Sequence, residues 1–162
     1  YGLVGSEMCI RDRTEETVHT LQIAAEQKGQ TLTADIAPGI TLDGDSGKLM
    51  QIFYNLTDNA IKYTPENGHI AVRLAQSGAN VLFAVTDDGI GIPEEDQKHI
   101  FERFYRVDKA RSRATGGTGL GLSIVRQLAA MHGGTVSVSS QPGQGATFTV
   151  TLPMDAKRGE KA

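Results

Sequence analysis

Residues 51–65 read QIFYNLTDNAIKYTP, and they describe a helix with two separate longitudinal stripes. Leu49, Ile52, Phe53, Leu56, Ala60 and Tyr63 recur at helical spacing and predict a face turned to a core. Lys48, Gln51, Asn55, Asn59 and Lys62 recur at three- and four-residue steps, in one row along the edge of that face. Such an edge is where a cleft opens. Asparagines offer amide oxygens to a hydrated cation and a lysine offers an ammonium to phosphates, the combination that a magnesium nucleotide needs. The same spacing fits an ordinary solvated stripe, so the stretch fixes a helix and leaves its chemistry to residues downstream. Asp45 is placed to cap the start, and Thr64-Pro65 closes the end because a residue before proline disfavours helical geometry. The predicted extent is Ser46 to Tyr63.

Outward from this helix, the composition sets bounds. A chain of 162 residues with 39% hydrophobic content supports one domain with a real core. Its net charge of -3 lacks the basic field of nucleic-acid binders, so nucleic acid is not an expected partner. The single cysteine, Cys9, excludes an intrachain disulfide and a thiolate metal site, and fits a reducing cytoplasm. No apolar run reaches the roughly 18 residues that span a bilayer, so a soluble piece without membrane contact is expected. Residues 1–13, YGLVGSEMCIRDR, show no periodicity and resemble translated adapter sequence, so they are expected to be a non-native or disordered segment, with a native linker as the alternative. The domain is then expected over 14–153, and 154–162 reads as a frayed tail.

Helices are expected over Thr14 to Lys28, stopped by Gly29, and over Leu120 to His132, stopped by Gly133-Gly134. Strands are expected at Thr31 to Ile36, His69 to Gln76, Asn80 to Asp87, Thr135 to Ser139 and Ala146 to Leu152. Pro93 followed by Glu94, Glu95 and Asp96 starts a short helix, and Arg106 to Thr118 reads as a mobile basic loop able to act as a lid. Helices and strands segregate. The fold class is therefore α+β, a two-layer sandwich with helices on one face of a mixed, mostly antiparallel sheet.

Two glycine motifs carry chemistry. Asp87-Asp88-Gly89-Ile90-Gly91 follows a strand; a carboxylate there can accept from an amine such as that of adenine, and the glycines admit a flat ligand. An Asp-Gly turn without function fits the same residues. Gly117-Thr118-Gly119-Leu120-Gly121 opens a helix, where free amides and the dipole favour phosphate. Neither the GxxxxGK[ST] phosphate loop nor the dinucleotide GxGxxG fingerprint is present.

Asn55-Leu-x-x-Asn59-Ala, Asp87-x-Gly89-x-Gly91, Phe101-x-x-Phe104-Tyr105-Arg106, Gly117-x-Gly119-x-Gly121 and Gly143-x-Gly145-x-Thr147 match one family in order and spacing. From about Thr14 to Leu152 the chain closely resembles the catalytic ATP-binding domain of bacterial sensor histidine kinases. The resemblance implies a Bergerat-type fold shared with gyrase, heat-shock chaperone and mismatch-repair ATPases. It implies that Asn59 holds magnesium, Asn55 supports the phosphates or a bound water, Lys62 touches phosphate and Tyr63 the adenine ring. Asp87 would accept the adenine amine over a floor shaped by Gly89 and Gly91. Arg106 and the lid would close over the phosphates, with Gly117, Thr118, Gly119, Leu120 and Gly121 lining the triphosphate. Thr147 would bond the Asp87 carboxylate or serve as a plain strand residue. Phe101 and Phe104 are expected to anchor the lid hinge.

Histidine kinases of this kind transfer the γ-phosphoryl to a histidine on a dimerising hairpin, beside an acidic residue. His19, His69, His99 and His132 lack that setting and are read as structural or surface residues. The expected parent thus carries a dimerisation and histidine-phosphotransfer domain, acts on a response regulator, and is anchored in the bacterial inner membrane. A hydrolytic ATPase or serine kinase of the same fold, and a nucleotide-binding module without turnover, are the alternatives.

Overall fold

The computed structural model describes residues 6–105 and 121–155. In chain order the elements are β1 (Ser6–Cys9), α1 (Ile10–Gln27), β2 (Thr31–Ile36), β3 (Thr41–Gly44), α2 (Ser46–Tyr63), β4 (His69–Ser77) and β5 (Asn80–Asp87). There follow α3 (Glu94–Gln97), α4 (Gly121–Met131), β6 (Thr135–Ser140) and β7 (Ala146–Pro153). Among the described residues a five-stranded sheet runs β2-β4-β5-β7-β6, and β1 pairs with β3 in a separate two-stranded sheet. The pairing of β2 with β4 is parallel and the other three are antiparallel, the mixed sheet expected.

Strand alternation explains the layering. Ile70, Val72 and Leu74 of β4, Val81, Phe83 and Val85 of β5, and Phe148, Val150 and Leu152 of β7 are all buried. Their neighbours in sequence turn to the other face of the sheet. On the buried face α2 packs against β5, with α1 and α4 as its helical neighbours. Leu49, Ile52, Phe53, Leu56 and Ala60 fill this contact, and the rings of Phe53 and Phe83 lie 4.4 Å apart. Full burial of such side chains contributes roughly 1.5–3 kcal/mol each.

Both ends of α2 are held by groups distant in sequence. At its start, Asp45 accepts the Lys48 N–H at 3.0 Å, the cap expected. The Asp45 N–H in turn donates to His132 Nε2 at 3.2 Å, while His132 Nδ1 lies 2.8 Å from the Leu128 carbonyl. Those partners assign the neutral tautomer with the proton on Nδ1. His132 is 3% exposed, so it is a structural pin between α4 and α2. His132→Ala is expected to lower stability by about 2–4 kcal/mol, from lost packing and an orphaned buried amide. Urea denaturation reads this directly, and a loss under about 0.5 kcal/mol, the scale of ordinary surface changes, would refute the pin.

The chain ends depart from expectation. Residues 6–13 belong to the fold: β1 pairs with β3, and Ile10, 0% exposed, opens α1 with its N–H on the Ile40 carbonyl at 3.2 Å. The buried row of α1 is Ile10, Thr14, Thr17, Leu21 and Ala25. Two threonines disguise this row, because each returns its hydroxyl to the carbonyl four residues back. Truncation before Thr14 is therefore expected to lower the melting temperature by several degrees, with loss of Ile10 alone costing about 2–4 kcal/mol. An unchanged melting temperature would return these residues to the outside of the fold. At the other end Met154 is not frayed, since it accepts from the Asp43 N–H and donates to the Ala79 carbonyl.

Candidate functional site

Asn55 and Asn59 stand one turn apart on α2, both half-buried. Neither amide is engaged in a hydrogen bond among the described residues. Lys62 Nζ lies 3.0 Å from Asp58 Oδ2, a partly exposed pair within the helix. Such pairs are worth roughly 0.2–1 kcal/mol, so a phosphate can take the ammonium over. Tyr63 ends the helix, half-buried. No group of three or more His, Cys, Asp or Glu side chains suited to a metal occurs among the described residues. The two free amides nevertheless fit a hard cation that arrives with oxygen ligands of its own.

Asp87 ends β5 on the helix-facing side, and its Oδ1 accepts the Gly89 N–H at 2.9 Å. Burial pushes its carboxyl above the ordinary carboxylate range, aided by the charge of Asp88 and opposed by the amides of Gly89 and Ala146. Asp88 points away. It accepts the His69 N–H at 2.7 Å and faces His69 Nδ1 at 2.9 Å, and these bonds hold its carboxyl low.

Two glycines let the backbone segments around Asp87 meet. A Cβ on Gly89 would stand 2.7 Å from the Tyr63 carbonyl oxygen and 3.3 Å from Thr64 Cα, so the Asp87 turn abuts the last turn of α2. Gly145 has φ +81, and a Cβ there would stand 1.9 Å from the Asp87 carbonyl oxygen. No side chain fits at that approach. Gly91 backs onto the Gln141 carbonyl. The last turn of α2, the Asp87 turn and the turn before β7 therefore meet at these glycines.

Several expected members stand elsewhere. Thr147 does not reach the Asp87 carboxylate: Ala146 is the register partner of Asp87, which turns Thr147 to the opposite face, its hydroxyl 3.1 Å from that of Thr86. Phe101 is an anchor, edge-on to Phe148 at 6.1 Å, but Phe104 is 63% exposed and has φ 66. Tyr105, the next aromatic, donates its hydroxyl to Asp96. Arg106, Gly117, Thr118, Gly119 and Leu120, with the basic loop, lie outside the described residues. Gly121 is the first residue of α4, and no atom of the described residues stands within 4 Å of where its Cβ would be. A cavity of about 440 Å³ lined by Thr41, Asp43, Gln76 and Met154 sits at the other end of β5 and holds none of the expected residues.

Sequence reasoning missed Lys28 and Gln30. Lys28 Nζ donates to the Ile61 and Thr64 carbonyls at 2.8 and 3.1 Å, and Gln30 Nε2 to the same two at 3.0 and 2.7 Å. No local pattern announces a cap supplied from more than 30 residues away.

Comparison with known proteins identifies the family and the fold. The model of the histidine kinase-, DNA gyrase B- and HSP90-like ATPases matches residues 44–156. The chain is 48% identical over 138 residues to the sensor-like histidine kinase SenX3 of Mycolicibacterium smegmatis, covering 85% of this chain and 36% of that protein. It thus spans about a third of the length of that relative. The catalytic domain of histidine kinase ThkA superposes with a TM-score of 0.84 at 25% identity, covering 95% of this chain and 98% of that one. Full-length ShkA in complex with AMPPNP superposes with a TM-score of 0.82 at 32% identity, over 94% of this chain and 32% of ShkA. The matched motifs, the mixed sheet under α2 and this likeness agree, and the chain belongs to the histidine kinase-, DNA gyrase B- and HSP90-like ATPase family as a catalytic domain of the sensor histidine kinase type.

Proposed function

We propose that the domain binds magnesium ATP between the α2 edge and the Asp87 turn, and passes the γ-phosphoryl to a histidine on a dimerising hairpin of its parent. The observation that supports this reading is the close approach of Gly89 to the Tyr63 carbonyl, which brings the Asp87 turn against the end of the helix that carries Asn55 and Asn59. Asp87 accepts the adenine amine, and a half-buried carboxylate with oxygen lone pairs beyond those taken by the Gly89 and Ala146 amides gains from that bond. Tyr63 borders the adenine ring. Asn59 is the residue that would hold magnesium, with Asn55 supporting phosphates or a water. Magnesium bound with the nucleotide offsets charge on the phosphates. Lys62 exchanges Asp58 for phosphate, and Arg106 with the Gly117 to Gly121 segment closes the phosphate side. An imidazole nitrogen of the acceptor then bonds to phosphorus as the bond to ADP breaks, and positioning does most of the work.

In this reading the parent hands the phosphoryl to a response regulator and sits in the bacterial inner membrane; no helix of the described residues is long and apolar enough to cross one. The test is to incubate the chain with γ-labelled ATP and the histidine-bearing hairpin of a related kinase. Label lost in acid and kept in base identifies phosphohistidine. Acid-stable label would mean a serine kinase, and ATP binding without any label would mean an interaction module.

The pH dependence follows from Asp87. Its carboxyl is raised in the folded chain, so the protonated form is favoured there, and the resulting stabilisation is present at low pH and lost as pH rises through the raised value. Nucleotide binding has the opposite sign, because only the ionised carboxylate accepts the amine with both oxygens. ATP affinity is therefore expected to fall on acidification, beginning above the ordinary carboxylate value of about 3.9. Calorimetric titrations between neutral pH and the acid limit of the fold check this, and a flat profile would contradict the placement of Asp87.

A further inference from the structure

We infer that Lys28 and Gln30, from the turn joining α1 to β2, are positioning residues for nucleotide recognition, because they clamp the last turn of α2 against the Asp87 turn. A helix end leaves its final carbonyls unpaired, and a cation there also meets the negative end of the dipole. In α2 the Ile61, Lys62 and Thr64 carbonyls all receive the Lys28 ammonium, at 2.8, 3.5 and 3.1 Å. Gln30, 4% exposed, adds two shorter-reach bonds from its Nε2.

The backbone locks the same junction. The Asn67 N–H donates to the Lys28 carbonyl at 3.2 Å and the Thr31 N–H to the Gly68 carbonyl at 2.9 Å. Both clamping residues precede the region matched by the family model, 44–156, yet they hold its central helix. What they hold is the surface of recognition: Tyr63 and Thr64 meet Gly89, and Gly89 donates its N–H to Asp87 Oδ1. A helix end capped by water instead would fray within its last turn, and the wall facing Asp87 would lose its fixed distance. Small misplacements of that kind are costly for recognition. Lys28 itself touches no nucleotide. It acts through the helix end.

This inference rests on the ATP-binding reading above, and the two fail separately. ATP affinity of the whole chain is measured by calorimetry well below the melting temperature for the parent, Lys28→Met, Asp87→Asn and the double variant. Lys28→Met is expected to weaken ATP roughly tenfold in the parent background and under about twofold beside Asp87→Asn, where the carboxylate that the clamp serves is gone. Lys28→Arg, which keeps the donors, should bind like the parent. A parent chain that does not bind ATP overturns both the reading and the inference. A parent that binds, with unchanged affinity in Lys28→Met or an equal loss in both backgrounds, overturns the inference alone and leaves Lys28 a stability residue. Should Lys28→Met not fold, as judged by circular dichroism, Lys28→Gln retains one donor and carries the same cycle.

Discussion

Asp87→Asn is expected to bind ATP roughly ten- to a hundredfold more weakly than the parent while melting at no lower temperature. The affinity loss follows from one mispaired buried polar group, worth about 1–3 kcal/mol. An amide can present its donor where the adenine amine needs an acceptor. The undiminished stability follows from the environment of Asp87: burial disfavours its charge, so replacing the carboxylate with a neutral isostere removes a cost in the empty protein. Asn can still accept the Gly89 N–H through its own Oδ1. Calorimetry and thermal melts on the same sample separate the two effects. Undiminished ATP binding would remove Asp87 from the site, and a parallel fall in melting temperature would make the loss structural.

How much of this was legible in the sequence depended on whether the deciding contact is local. The bounds of α2 and of β2 and β5 agree with expectation because their signals sit beside them: Asp45 as cap, Gly29 as stop, Thr64-Pro65 as terminator. The glycine pattern at 89 and 145 was visible, but its meaning was not. Gly145 is required because the Asp87 backbone crosses it, and that crossing depends on strand register. Register also decided Thr147: a single step along β7 places Ala146 opposite Asp87 and turns the threonine away. The first turn of α1 was hidden by chemistry of a different kind. Thr14 and Thr17 read as polar, yet each satisfies its hydroxyl within the helix and can then be buried. Lys28 read as the charged end of a helix, and its three carbonyl partners lie beyond any window that periodicity can survey.

Those same limits bear on catalysis, where the residue that matters most is a neutral one. Hydrolysis needs a general base that takes a proton from water beside the phosphates. Asn55 is half-buried on α2, and its amide does not take up a proton near pH 7. His69 and His99 each face a carboxylate, Asp88 and Glu102, through one ring nitrogen, His132 is buried between helices and His19 is exposed on α1, so none of the four is proposed as a replacement base. The chain with magnesium ATP alone is therefore expected to release phosphate far below the roughly 1 per second of ordinary enzymes, and to transfer it only when an acceptor hairpin is supplied. Asn59→Ala removes the amide oxygen proposed to hold the metal. Transfer to the hairpin should then fall by roughly a hundredfold or more, at or beyond the upper end of the loss seen when a group that merely supports a metal ligand is altered. Because the Asn59 side chain makes no hydrogen bond among the described residues, the melting temperature should stay close to that of the parent. Phosphate release without hairpin, transfer with hairpin and a thermal melt, all measured for parent and variant, test these statements together. Turnover above roughly 1 per second without acceptor would make the domain a hydrolytic ATPase, and full transfer by Asn59→Ala would move the metal to other ligands.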